Sequence, residues 1–108
     1  KAMSKLGSWC ISSITASELS VWLFGNIRPD LEERILQFLE GTDVIPFASQ
    51  DAMEFGRMRA RMLPEQRAMQ NMDGLIAAHA IARQLILVTN NTKDFDGILD
   101  LEIENWAV

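Results

Sequence analysis

Glu18, Asp73, Asn91 and Asp94 carry most of the chemistry this sequence could do. Each falls just after an inferred strand or at the start of a helix beside one, and Asp96 lies close behind the last of them. Carboxylates gathered at such positions suit Mg²⁺ or Mn²⁺, hard ions that prefer oxygen and keep several of their waters. Ions of this kind activate water and stabilise charge on a phosphodiester. Each residue also has a plain structural reading. Thr15-x-x-Glu18 matches a capping box, in which Glu18 reaches back to the Thr15 amide. Asp73 sits in the first turn of its helix, where any carboxylate favours the macrodipole, with Asn71 available as the cap. Asn90-Asn91 reads equally well as a turn after a strand. Spacing alone leaves both readings open.

Other site types are excluded more easily. The glycines number 6 and are scattered, so there is no phosphate-cradling loop. With 1 His and 1 Cys far apart, a zinc site cannot be assembled. His79 lies between Ala78 and Ala80 in an alanine-rich helix and reads as a packed or partly exposed helix residue, not as the base of a triad. Arg57, Arg59, Arg61 and Arg67 could hold phosphates or an acidic partner segment, or form a solvated face partly matched by Glu54 and Glu65. Arg57 and Arg61 are four apart and share a helix face, whereas Arg59 points elsewhere.

These residues need a scaffold, and 108 residues make one domain. The hydrophobic fraction of 48% and charged fraction of 23% exclude a disordered chain, a collagen repeat and a coiled coil. No apolar run is long enough to span a bilayer, and no apolar core follows the lysines of the first residues, so neither a membrane nor a secretion signal is expected. The single Cys10 excludes an intrachain disulfide and fits a reducing cytoplasm. The net charge of -5 argues against passive binding of nucleic acid, although bound metal ions would reverse the local field.

Strands and helices alternate along the chain. Trp9–Ser12 reads as a buried strand, followed by a helix from Thr15 to Gly25. Pro29 opens a helix whose stripe is Leu31, Ile35, Phe38 and Leu39, and which ends at Gly41. Asp43–Pro46 is a short strand; Ser49 caps a helix with Ala52, Phe55, Met58 and Met62 on one face. A loop around Pro64 precedes a helix from Met72 to about Gln84. Leu85–Thr89 is a continuous aliphatic strand of the kind buried on both faces, and a last short strand lies near Leu101–Glu104. This order predicts an α/β sandwich with a mostly parallel central sheet, whose ligands sit at the carboxyl ends of the strands.

Four segments resemble the PIN-domain ribonuclease toxins of type II toxin–antitoxin modules, the VapC group: Ile11-Ser12-Ser13-Ile14-Thr15-Ala16-Ser17-Glu18-Leu19, Phe55-Gly56-Arg57-Met58-Arg59-Ala60, Met72-Asp73-Gly74-Leu75-Ile76-Ala77-Ala78-His79-Ala80 and Leu87-Val88-Thr89-Asn90-Asn91-Thr92-Lys93-Asp94-Phe95. The closing Glu104-Asn105-Trp106 resembles the family's end. The resemblance implies a PIN-like α/β/α fold and a Mg²⁺- or Mn²⁺-dependent endoribonuclease that cleaves tRNA or rRNA. Glu18, Asp73 and Asn91 fall at the metal-binding positions, Asp94 at the acid before the Phe, and Thr89 at the strand-end hydroxyl. Asn91, being uncharged, would serve only through its carbonyl oxygen or a bound water.

The resemblance further implies a cytoplasmic protein acting on RNA, bound by a small antitoxin, and assembling as a homodimer or a toxin–antitoxin hetero-oligomer. Arg57 and Arg61 are the residues expected to meet RNA or an acidic antitoxin segment. Family members open with a strand ending in Asp-Thr-Asn and a helix, neither of which is matched here. The expectation is therefore one PIN-like domain over residues 1–108, N-terminally truncated, lacking the central strand and one metal-binding Asp. The rival readings are a non-catalytic PIN-like module acting through antitoxin or dimer contacts, and a small-molecule phosphatase, for which no nucleophilic Asp follows a strand.

Overall fold

The computed structural model describes residues 1–25, 28–66 and 69–105. The elements run β1 (Ala2–Lys5), β2 (Ser8–Ser12), α1 (Ser13–Gly25), α2 (Pro29–Glu40), β3 (Val44–Ile45), α3 (Ser49–Arg61), α4 (Asn71–Arg83), β4 (Ile86–Val88) and β5 (Ile103–Glu104). Single 3-10 turns stand at Pro64–Gln66 and Thr92–Phe95. The five strands form one sheet in the order β3-β2-β1-β4-β5. β2 pairs with β3 and β4 with β5 in parallel, while β1 is antiparallel to both β2 and β4. Four of the strands therefore point the same way, as the alternation of elements requires.

The central position, which the resemblance leaves empty, is taken by Ala2–Lys5 running against its neighbours. Met3 pairs with Cys10 on one side and with Leu87 on the other, so the backbone groups of β2 and β4 find partners. The hairpin closes over Leu6 and Gly7, whose φ values of 52° and 84° are those of a tight turn that follows the strand twist. Met3 and Ser4 are both buried, as a strand covered on both faces demands. Trp9 is 44% exposed and stacks on Phe38, so only Ile11 and Ser12 of the expected buried strand lie in the interior.

The core gathers Met3 and Leu87 from the sheet, Met58 from α3, Ile76, Ala77 and Ala80 from α4, and Phe95 and Ile98 from the loop before β5. The small faces of α4 let it approach both the sheet and α3 closely. Gly74 marks the nearest approach: a Cβ there would stand 2.9 Å from Phe55 Cε1 and 3.4 Å from Arg59 Nη2. Gly74→Ala gains about 1 kcal/mol in helix propensity but loses about 1–3 kcal/mol to crowding. A net loss of about 1 kcal/mol is expected, visible as a lower midpoint in a thermal melt. A raised midpoint would show that α3 and α4 separate freely.

Three helix starts differ from the sequence reading. α1 begins at Ser13, and Ser12 Oγ accepts the Ile14 N–H at 3.0 Å. Thr15 is thereby inside the helix and buried, so Thr15-x-x-Glu18 is no capping box. α3 is capped at Ala48, not Ser49, and Asp51 accepts the Ala48 N–H at 2.7 Å. α4 is capped at Gln70 without a side-chain bond, because the Asn71 side chain instead accepts from Arg59 at 3.2 Å.

Candidate active site

α1 and α4 bring two of the expected acids to one place. Asp73, in the first turn of α4, has Oδ1 at 2.8 Å from Lys1 Nζ, and its side chain is mostly shielded from solvent. Glu18, on α1, and Asp73, on α4, both lie within electrostatic reach of Lys1.

A cleft of about 540 Å³ opens beside them, lined by Asp73, Asn91, Asp94 and Asp96, with Gln66 and Lys93 at its edge. Asn91 follows β4, its N–H bonded to Thr89 Oγ1 at 3.1 Å, and its side-chain amide donates to Asp94 Oδ2 at 2.6 Å. That bond leaves the amide oxygen of Asn91 as its donor atom for a cation. Asp73, Asn91 and Asp94 therefore share one cleft, as the sequence predicts, while Glu18 reaches the group only through its field at Lys1. Among the described residues no group of three or more His, Cys, Asp or Glu has metal-binding geometry. Two carboxylates and an amide oxygen still suit a hard divalent ion that retains its waters.

Arg57 and Arg61 do share a face: both approach Glu54 Oε2, at 3.7 Å and 3.6 Å, and Arg61 also reaches Asp100 at 3.4 Å. Neither lines the acidic cleft. Arg59 points the other way, over the Phe55 ring and onto the Met69 carbonyl at 3.1 Å. Arg67 and Trp106 lie outside the described residues.

Sequence reasoning did not find a second polar cluster, wholly inside the protein. His79 and Asp51 are fully buried and Ser12 nearly so. His79 Nδ1 lies 2.7 Å from Ser12 Oγ, and Nε2 lies 3.5 Å from Asp51 Oδ2. Arg83 donates to both Asp51 oxygens at 3.0 Å and to the Pro46 carbonyl at 3.2 Å. Burial raises the cost of the Asp51 charge, but the Arg83 and Ala48 hydrogen bonds outweigh it and hold the carboxyl below its usual range. Burial likewise lowers the His79 pKa, more than Asp51 can raise it. With no solvent access, Ser12, His79 and Asp51 cannot serve as a hydrolytic triad. The signals were a lone His on a small-faced helix and an acid three residues after a helix cap, and neither names its partner.

The PIN domain family model matches residues 1–98. The tRNA(fMet)-specific endonuclease VapC of Shigella flexneri is 36% identical over 94% of this chain and 77% of its own. Ribonuclease VapC2 of Haemophilus influenzae is 34% identical with the same coverage. The crystal structure of VapBC2 from Rickettsia felis, bound to a DNA fragment from its promoter, superposes with a TM-score of 0.78 at 36% identity, over 90% of this chain and 74% of that one.

Proposed function

This chain belongs to the PIN domain family, and on that premise we propose that it is an endoribonuclease toxin of the VapC kind. It hydrolyses phosphodiester bonds in RNA of the tRNA or rRNA class, works in the cytoplasm with Mg²⁺ or Mn²⁺, and is neutralised by an antitoxin protein. The relatives' names and the VapBC complex support the enzyme and the partner. The observation that carries the reading is the single cleft that gathers Asp73, from the start of α4, with Asn91, Asp94 and Asp96, from the segment after β4.

Glu18 and Asp73 would hold the ion, with the Asn91 oxygen completing the set directly or through water. When bound, the ion supplies positive charge to the phosphodiester and makes water a stronger nucleophile. Asp73 sits in the first turn of α4, where the macrodipole favours negative charge, with Lys1 Nζ at 2.8 Å. Asp94 accepts from the Asn91 amide and so holds that side chain, leaving its oxygen as the atom a cation would meet. Lys93 at the rim offers a cation to the substrate's phosphates, which an acidic cleft would otherwise repel. Titrating Mn²⁺ into the protein, with Glu18→Gln and Asp73→Asn alongside, tests the site. Binding that both substitutions abolish supports it, and binding that neither alters refutes it.

Arg57 and Arg61, set away from the cleft, would meet an acidic antitoxin segment, or RNA outside the scissile bond. Reversing both to Glu is expected to weaken antitoxin or RNA binding about tenfold or more, because it turns attraction for an acidic segment or a phosphate into repulsion. Affinities for both partners that survive at moderate salt would assign the pair to a plain solvated face.

A further inference from the structure

Helix α1 carries Glu18 and meets the apolar core through Ile14 in its first turn, but its further apolar packing is thin. Leu23 is its one buried apolar residue among those described, whereas Val21, Trp22 and Phe24 are 70%, 62% and 84% exposed. A helix without a buried stripe must be located by other means. The polar cluster beneath its first turn supplies them. Ser12 Oγ accepts the Ile14 N–H and lies 2.7 Å from His79 Nδ1, in the middle of α4. The Asp51 carboxylate, 3.5 Å from Nε2, favours the tautomer with the ring hydrogen on that nitrogen, which leaves Nδ1 to accept the Ser12 hydroxyl hydrogen. Asp51 is itself held by Arg83, also on α4, and the Phe47 ring meets the imidazole edge-on at 5.4 Å. The start of α1 is also tied to the segment before α3, where the Phe47 N–H donates to Ser13 Oγ at 2.9 Å.

We propose that His79 is a positioning residue: by accepting the Ser12 hydroxyl hydrogen it locks the start of α1 onto α4 and so fixes the separation of Glu18 and Asp73. Ser12 and Glu18 lie within roughly two turns of each other, as do Asp73 and His79, so a shift at the tie is passed to both carboxylates through rigid helix. The inference rests on the proposed metal site for its consequence but not for its geometry.

The full chain is labelled with nitroxides at Val21→Cys on α1 and Met72→Cys on α4, with Cys10→Ser removing the native thiol. Double electron–electron resonance then reads the distance between the helices. A single narrow distribution is expected in the parent. Ser12→Ala and His79→Leu should broaden it, while His79→Asn, whose amide oxygen can accept the same hydrogen, should keep it narrow. Unchanged distributions in folded Ser12→Ala and His79→Leu overturn the proposal, and Ser12→Ala alone decides it should His79→Leu fail to fold. Calorimetric titration with Mn²⁺ is the second readout, with an affinity loss of about tenfold expected in His79→Leu and Ser12→Ala, at the lower edge of what outer partners of metal ligands contribute. Broadened distances with unaltered affinity overturn the link to the carboxylates. A parent that binds no Mn²⁺ refutes the metal site, and the distance measurement still decides the role of His79.

Discussion

Asp73→Asn is expected to lower RNA cleavage about a thousandfold while leaving the fold nearly as stable as before. The rate estimate follows from several kcal/mol of charge stabilisation lost with the ion, at a factor of ten for each 1.36 kcal/mol. The stability estimate follows from what Asp73 contributes without the ion. A carboxylate in a first helical turn is worth about 0.3–1 kcal/mol, and its partly shielded ion pair with Lys1 adds to that. Relief of repulsion from Glu18, which acts on the same Lys1, offsets part of that loss. Single-turnover cleavage and differential scanning fluorimetry on one preparation separate the two effects. Cleavage within tenfold of the parent would remove Asp73 from the chemistry. A large fall in melting temperature would make it a structural carboxylate instead.

Acidification should destabilise the protein in two stages, each traceable to one residue of the buried cluster. His79 has its folded pKa below 6.5, because burial disfavours the imidazolium even though Asp51 favours it and Arg83 opposes it. The unfolded chain therefore takes up the proton first. Its stabilising contribution is complete above the unfolded value and is lost as pH falls from about 6.5 through the folded pKa. The slope cannot exceed about 1.4 kcal/mol per pH unit for one proton. Asp51 behaves likewise in a lower window, beginning near its ordinary value of 3.8, because Arg83 and the Ala48 N–H hold its folded pKa down. Melting temperatures from pH 8 to 4 in His79→Asn should be flat where the parent first declines. An identical decline in both would assign that stage to other groups.

The parts of this fold that local pattern could reveal were visible before the structure. Leu85–Thr89 could only be an interior strand, and the spacing of Leu31, Ile35, Phe38 and Leu39 could only be a helix, because burial of one face leaves a period in the sequence. Asp73, Asn91 and Asp94 fell together because each sits at a strand or helix end on one edge of the sheet. The opening strand was hidden. Ala2–Lys5 has no alternation, and its pairing with Ile86–Val88 joins opposite ends of the chain, which no local window contains. The Ser12–His79–Asp51–Arg83 cluster was hidden for the same reason, since it gathers residues from β2, α3 and α4. The helix starts shifted because Arg59 recruited Asn71 and Asp51 served Ala48. Tertiary hydrogen bonds thus overrode the local capping signals.

The antiparallel β1 makes the sheet two halves joined by one short seam. Among the described strands, β2 with β3 on one side and β4 with β5 on the other meet through Ala2–Lys5, whose hairpin with β2 is a sequence-local contact and whose pairing with β4 spans most of the chain. The hairpin should therefore form early and capture the second half late, since the longer loop closure must be met before its contacts stabilise anything. Whenever that brief strand detaches, two buried edges are bared at once, each a template for a strand from a second molecule. Reciprocal exchange of β1 between two copies would satisfy all four edges without a new contact. Concentration during refolding, rather than temperature, is thus the variable that decides between a monomer and a strand-exchanged pair.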